Sequence, residues 1–169
     1  MRKVLFILGQ LSDQDAEWLT ANGRKQVLPP ETVLIREAEP IDSLYIVLEG
    51  QLSVTDRDLG DAEVARLGCG EIVGEMSFVD GRPPSATVRA VERTIALRVP
   101  RPALLRKIEA DPAFAARFYR ALAMFISHRL RTLTRDSPDV DELDPNVLDS
   151  LHLAASRFDR MMKQLMMSA

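Results

Sequence analysis

Short alternating segments between residues 26 and 100 constrain the fold of this chain more than any other feature. Apolar and polar residues alternate within each segment at the two-residue period of a β-strand, and Gly, Pro or Asp separates one segment from the next. The segments are TVLIRE, LYIVLEG, QLSVTD, EVARLG, ATVRAVE and TIALRVP. Six or more short strands at this spacing predict a small β-sandwich, barrel or roll.

Two hairpins are predicted within this region. The continuous stretch LYIVLEGQLSVTD is typical of two paired strands that turn near Glu49 and Gly50. The stretch RDLGDAE predicts a second hairpin tip, because Gly60 and Asp61 tolerate the positive φ that tight hairpin turns require.

Helical patterns flank the strands on both sides. Ser12 is a preferred N-cap, Asp15 follows three residues later, and Gly23 suits a helix end, so a short helix is predicted over residues 12–23. After the last strand, RPALLRKIEA predicts a short helix and DPAFAARFYRALAMFISHRLRTLT a long one, with Asp111 as its N-cap. The predicted fold class is therefore α+β, with a short N-terminal helix and C-terminal helices around the strands.

The apolar stripe of the long helix is wider than a single packing face needs. It consists of Phe114, Phe118, Ala121, Leu122, Phe125, Ile126, Leu130 and Leu133. We therefore expect this helix to have two neighbours, its own β-domain and a second chain.

The C-terminal region divides into a linker and a last helix. RDSPDVDELDPN is acidic and interrupted by proline, which predicts a linker over residues 136–144 between a domain at 1–135 and an amphipathic helix at 145–169. Apolar residues of that helix fall at a strict three-four spacing: Leu148, Leu151, Ala155, Phe158, Met162 and Leu165. The spacing is compatible with a coiled-coil seam of a homodimer, with a seam for a protein partner, or with packing on the chain's own domain.

Composition narrows the function classes. The net charge of −3 argues against a dedicated nucleic-acid binder, and the single helix after the acidic segment does not fit a helix-turn-helix reader. One cysteine, Cys69, excludes an internal disulfide and fits a reducing compartment. The N-terminal apolar run, Val4 to Leu8, is too short for a signal peptide, and no stretch reaches the length of a membrane span. We expect a cytoplasmic protein that does not associate with membranes.

Catalytic motifs are not apparent in the sequence. The two histidines, His128 and His152, lie on predicted helices far apart, and no metal-ligand cluster, Ser/His/Asp arrangement or Walker loop occurs. We therefore expect a protein without a metal or a catalytic site, and not an enzyme.

The stretch GEMSFVDGRPPSATVRA, residues 74–90, has the features of a loop that holds a phosphate. Gly74 allows close backbone approach, and N–H groups at Ser85 and Ala86 suit a single negative charge. Glu75 and Thr87 add a carboxylate and a hydroxyl to the loop. An arginine normally completes such a set, because its fork matches phosphate oxygens.

Two segments resemble the signatures of the cyclic nucleotide-binding domain family, as in Crp/Fnr-type regulators and kinase regulatory subunits. CGEIVGEMSFVDGRPPSATVRA is similar to the family's phosphate-binding cassette, and SLYIVLEGQLSV, residues 43–54, resembles its second signature hairpin. The resemblance implies a β-roll of the double-stranded β-helix or jelly-roll type, a regulatory role, and cAMP or cGMP as ligand. It implies a cassette site made of Val73, Gly74, Glu75, Met76, Ser77, Arg82, Pro83, Pro84, Ser85, Ala86 and Thr87. Within the cassette, it implies that Glu75 accepts a hydrogen bond from a ribose hydroxyl and that Thr87 reaches toward the base. It also implies a lid helix that closes over the pocket with Phe118, Leu122 and Phe125.

The sequence departs from the family pattern at the phosphate arginine, whose position falls on Pro84. Loss of one partner of a desolvated charged pair typically costs about 2–5 kcal/mol. Three interpretations therefore remain open: a cyclic nucleotide is bound with Arg82 as substitute, another anionic ligand is bound, or the loop is a structural relic in a domain that acts through protein contacts. In the last case we expect Glu75 to pair within the loop, with Arg82 or Arg89.

Overall fold

The computed structural model describes residues 5–134 and 145–167, which form eight strands and six helices. The strands are β1 (Arg24–Leu28), β2 (Val33–Ile35), β3 (Ser43–Glu49), β4 (Leu52–Asp56), β5 (Ala62–Leu67), β6 (Ile72–Val73), β7 (Thr87–Ala90) and β8 (Thr94–Pro100). The helices are α1 (Leu5–Gln10), α2 (Asp13–Asn22), α3 (Glu75–Asp80), α4 (Arg101–Ala110), α5 (Pro112–Thr134) and α6 (Pro145–Met167).

The strands form two antiparallel four-stranded sheets that face each other as a β-roll. The first sheet has the order β1-β8-β3-β6, and the second has the order β2-β7-β4-β5. The predicted α+β class and the roll are therefore confirmed. The tip between β4 and β5 is also confirmed, with φ of 70° at Gly60 and 61° at Asp61.

The predicted hairpin between β3 and β4 is wrong. β3 pairs with β6 and β8, whereas β4 pairs with β5 and β7, so the two strands lie in different sheets. The chain crosses between the sheets at Gly50, whose φ is 87° and whose added Cβ would lie 2.6 Å from the Arg93 carbonyl oxygen. β3 is buried on both faces, which is typical of a central strand that serves two cores.

Those two cores lie on opposite faces of the first sheet. The roll interior, between the sheets, is lined by Leu28, Ile35, Tyr45, Val47, Leu52, Val54, Leu67, Val73, Val88 and Ala90. The helix core, on the other face, joins Leu44, Ile46, Leu48, Ile72, Ile95, Leu97 and Val99 to the apolar sides of the helices. Successive residues of β3 alternate between the two, as the pleat requires.

The helices predicted on either side of the strands are present. The Asp15 N–H donates to Ser12 Oγ at 3.2 Å and the Ser12 N–H donates to Asp15 Oδ2 at 2.7 Å, which completes a capping box before α2. Asp111 caps α5 by accepting the Phe114 N–H at 2.9 Å. Sequence reasoning missed α1, because its six residues were considered only as a signal-peptide candidate.

The long helix α5 packs against α1 and α4. Five members of its predicted stripe are buried in the helix core: Phe114, Phe118, Ala121, Leu122 and Phe125. Leu130 is instead 61% exposed, and Ile126 is half-buried. The side chain of Leu133 lies outside the described residues. The buried face of α5 is therefore used within its own chain, and the expected contact with a second chain stays a prediction.

The last helix, α6, packs on α1 and α2 of its own chain. Its buried side chains are Ala154, Arg157, Met161 and Leu165, with Phe158 and Met162 half-buried beside them. Of the predicted seam, Leu165 is buried and Phe158 and Met162 pack against the helix core, whereas Ala155 is exposed, so the packing face combines part of the seam with Met161. A dimer or partner contact through the seam stays a prediction. The side chains of Leu148 and Leu151, and the predicted linker, lie outside the described residues.

Asp13 at the start of α2 forms ion pairs with two arginines of α6. Arg157 Nε donates to Asp13 Oδ1 at 2.6 Å, and Arg160 donates to Asp13 Oδ2 at 2.7 Å. Arg157 also donates to the Leu8 carbonyl oxygen at 2.7 Å. The hydrogen bonds from Arg160 and Arg157 lower the pKa of Asp13 below its ordinary value.

Replacing Ala38 with glycine is expected to raise the free energy of unfolding by about 0.5–1 kcal/mol. Ala38 is exposed and has φ of 62°, a conformation that disfavours a side chain. Urea denaturation checks this. The control is Ala62→Gly, an exposed strand position at which the same change is expected to be destabilising. A loss of stability in A38G would contradict the left-handed turn.

None of the described helices combines the length and the apolar character that a membrane span requires.

Candidate ligand-binding site

The cassette begins with a left-handed glycine and a short helix. Gly74 has φ of 89° and precedes α3, and Gly81 has φ of 72° and ends it by donating to the Ser77 carbonyl oxygen at 3.0 Å. A Cβ at Gly74 would lie 2.8 Å from Ile41 Cδ1 and 3.3 Å from the Ser43 carbonyl oxygen. The start of the cassette therefore touches the segment that leads into β3, and only glycine fits there.

Glu75 is the buried carboxylate of the cassette. Its side chain is 4% exposed, and Arg129 Nη1 of α5 donates to its Oε1 at 2.5 Å. Burial raises the pKa of the Glu75 carboxyl above its ordinary value, and the charge of Arg129 opposes that rise. The expected pairing of Glu75 with Arg82 or Arg89 is wrong, because the partner comes from a helix 54 residues away.

The arginines of the loop point away from the roll interior. The Arg82 side chain is 85% exposed, and its Nε lies 3.9 Å from Asp80 Oδ2. The backbone N–H of Arg82 donates to Asp80 Oδ1 at 2.9 Å. Arg89 forms a surface pair with Glu31 at 3.2 Å. In this conformation neither supplies a cation to the interior of the cassette.

The end of the cassette is fixed to the turn before β3. The Ala38 N–H donates to the Pro84 carbonyl oxygen at 2.9 Å, and the Glu37 N–H donates to Thr87 Oγ1 at 3.2 Å. Among the described residues, none accepts a hydrogen bond from the N–H of Ser85 or Ala86. These adjacent donors are available to an anion, as the sequence predicts.

Other cassette residues lie on both sides of the loop. Val73 is buried in the roll interior, and Ala86 packs at its edge. Met76 is 57% exposed, and Pro83 is exposed. The site thus offers an apolar interior, two backbone donors and a carboxylate that is already paired.

The predicted lid residues occupy the helix core. Phe118, Leu122 and Phe125 are buried there, on the far side of the first sheet from the roll interior. Phe118 packs edge-on against Phe78 of α3, with ring centroids 5.7 Å apart. Of the three, Phe118 contacts the cassette helix, because α5 packs on the outer face of the sheet. That these residues close over a pocket stays a prediction.

Sequence reasoning missed Arg129 as a site residue. Its guanidinium lies 5.3 Å from the centroid of the Phe125 ring, one helical turn earlier on the buried side of α5. The sequence signal that would have identified Arg129 is its position four residues after a core aromatic, Phe125. Within the described part of the chain, no group of three or more His, Cys, Asp or Glu side chains is placed to hold a metal.

A β-roll with a glycine-framed helix and loop between two of its strands, backed by C-terminal helices, is the fold of regulatory domains of the cyclic nucleotide-binding type. The family model for the cyclic nucleotide-binding domain matches residues 25–111. The chain belongs to the cyclic nucleotide-binding domain family.

The chain is also similar to part of a longer curated protein. An uncharacterized NTE family protein of Mycobacterium tuberculosis is 27% identical over 135 residues, which cover 79% of this chain and 23% of that protein. The chain thus spans about a quarter of the length of that curated relative.

Two solved structures share the fold. A cyclic nucleotide-binding domain from Methylobacillus flagellatus has a TM-score of 0.72 and 26% identity, over 84% of this chain and 85% of that one. The regulatory subunit of a cAMP-independent protein kinase A from Trypanosoma brucei has a TM-score of 0.58 and 25% identity, over 78% of this chain and 43% of that one.

Proposed function

We propose that this domain is a ligand-responsive regulatory module in which α5 reports the state of the cassette. The ion pair between Glu75 and Arg129 is the observation that carries the proposal. A ligand hydroxyl that engages Glu75 must share or displace the guanidinium of Arg129. Binding in the roll is thereby coupled to the position of α5 through differential affinity for two arrangements of that helix.

A second contact links the same two elements. Phe78 of α3 and Phe118 of α5 pack edge to face in the helix core. A shift of the cassette helix would move Phe78 against Phe118, and packed aromatic rings yield by repacking as a unit. The module therefore has a polar and an apolar route from the cassette to the same helix, and its role is regulatory and not catalytic.

The ligand that suits the site is a nucleoside with one negative charge, such as cAMP or cGMP. The apolar lining of the roll interior suits the ring of a base, and the N–H groups of Ser85 and Ala86 suit a phosphate monoanion. Because Pro84 stands at the family's arginine position and Arg82 faces solvent, we expect weak binding, with a Kd of about 10⁻⁴ M or higher.

The replacement Pro84→Arg is expected to increase the affinity for cAMP or cGMP at least about tenfold, because it supplies the missing fork of donors. Calorimetry and thermal shift measure this, since a ligand that binds the folded state must raise its melting temperature. The control Arg82→Ala separates the alternatives: weaker binding in R82A would show that Arg82 turns inward as a substitute. Absence of heat and of thermal shift at millimolar ligand in both wild type and P84R would refute the sensor function.

The second candidate is a degenerate domain that acts as a protein-interaction or dimerisation module without a nucleotide. Three observations favour it: Arg82 is 85% exposed, Ile41 lies against Gly74, and one similar regulatory subunit is described as cAMP-independent. In that case the pair of Glu75 and Arg129 is a permanent tie between the roll and α5. For this candidate, we expect that neither cAMP nor cGMP gives heat or a thermal shift, although the protein is folded.

A further inference from the structure

The solvent-facing side of α5 carries an apolar stripe that the core does not use. Its members are Ala116, Tyr119, Ala123, Ile126 and Leu130, which follow one another at alternating steps of three and four residues. Tyr119 is 42% and Leu130 61% exposed, both alanines are exposed, and Ile126 is half-buried. This is the spacing of a helix-packing seam, and we call it the outer stripe.

The outer stripe is distinct from the face that packs on the domain. Phe114, Phe118 and Phe125 are buried on the other side of the helix. At about 100° per residue, Ala123 points roughly opposite to Phe114. Exposed side chains of this size, aligned over about four helical turns, are typical of an interaction site.

Charge beside the outer stripe indicates which partner fits it. The 23 residues of α5 include four arginines and neither Asp nor Glu. Two of the arginines are tied within the domain, Arg117 to Asp15 and Arg129 to Glu75. Arg120 and Arg131 are exposed and directly follow stripe residues, so they line the same edge. Arg120 forms no ion pair with another described residue.

A second copy of this helix fits poorly on such a surface. Residues that flank a helix-packing seam select the partner through opposite charges. Two copies of α5 would offer arginines and no carboxylate to each other in either orientation. A helix with an apolar seam and flanking Glu or Asp would instead place a carboxylate beside the exposed Arg120.

We propose that the outer stripe of α5 is the docking surface for an acidic amphipathic helix of a partner protein. The proposal does not require a ligand in the roll, because Arg120 and most of the stripe are exposed on the helix as it stands. It therefore holds whether the cassette binds a nucleotide or is degenerate.

Two designed peptides test the proposal on the whole chain. Both are 21-residue helices with leucine and isoleucine in the seam, and they carry glutamate or lysine at the flanking positions. Fluorescence anisotropy measures binding of the labelled peptides without nucleotide. We expect the acidic peptide to bind at least about tenfold more tightly than the basic one, with an affinity that falls as salt rises.

Matched variants locate the surface. Arg120→Glu is expected to weaken binding of the acidic peptide about fivefold to tenfold. Arg106→Glu makes the same charge change at an exposed residue of α4 and is expected to leave the affinity unchanged. Leu130→Ser is expected to weaken the binding of both peptides. The proposal is overturned if neither peptide binds, if the two bind equally, or if sedimentation shows a dimer of this chain that Leu130→Lys dissociates. Unchanged melting temperatures confirm that the variants are folded.

Discussion

Replacing Arg129 with alanine is expected to lower the free energy of unfolding by about 2–4 kcal/mol at pH 7. The change leaves the Glu75 carboxylate, which is 4% exposed, without its charged partner. Arg129 is itself only 27% exposed and lies 5.3 Å from the centroid of the Phe125 ring, so its removal also costs packing and ring contact. The larger part of the loss is expected from the uncompensated buried charge. Chemical denaturation followed by circular dichroism measures the effect.

The loss is expected to depend on pH in a defined direction. Burial raises the pKa of Glu75 in the folded state, so stability from this group is fully present below the unfolded pKa and is lost as pH rises through the folded pKa. Without Arg129, whose charge opposes the rise, the folded pKa is higher still. The deficit of R129A relative to wild type is therefore largest at neutral pH and shrinks as pH falls toward 4.5.

Two further variants separate charge from packing. Glu75→Gln, added to R129A, removes the unpaired charge and is expected to recover about half or more of the lost stability. Arg120→Ala, an exposed arginine on the same helix, is expected to change stability by less than about 0.5 kcal/mol. If R129A were as stable as R120A at pH 7, the ion pair between the cassette and α5 would contribute nothing to stability, and the proposed coupling would lose its basis.

Local sequence signals predicted the elements of this fold because they act within a few residues. The Ser12 capping box, the Asp111 cap and the positive φ of Gly60 depend on side chains and backbone in the same turn. The hairpin predicted at Gly50 failed for the opposite reason. Sheet membership of β3 depends on its pairing with β8, about 50 residues later, and alternation within β3 holds equally in either sheet.

The candidate site shows the same division. The glycine at residue 74 and the available N–H groups of Ser85 and Ala86 follow from the loop itself and were predictable. The partner of Glu75 was not, because Arg129 reaches it through the tertiary packing of α5. The full packing face of α6 was not predictable, because apolar residues occupy more than one side of the helix, and the position of α1 selects which of them are buried.

Replacing Met161 with glutamate is expected to destabilise the docking of α6 by about 3–5 kcal/mol. Met161 is 1% exposed in the helix core, and the change removes its apolar contacts and places a carboxylate against them. Docking of α6 is local, so the helix is expected to detach before the roll unfolds. Hydrogen exchange of the α6 amides measures this, and the amides of β3 and β8 report whether the roll remains intact.

Ala155→Glu is the matched control, with the same added charge six residues earlier on the same helix. Ala155 is exposed, so stability and α6 exchange are expected to stay within about 0.5 kcal/mol of wild type. The opposite pattern, with M161E silent and A155E dissociating a dimer, would mean that the sequence-predicted seam faces a second chain. Because the two positions lie on different faces of one helix, the pair of variants distinguishes intramolecular docking from dimerisation without knowledge of any ligand.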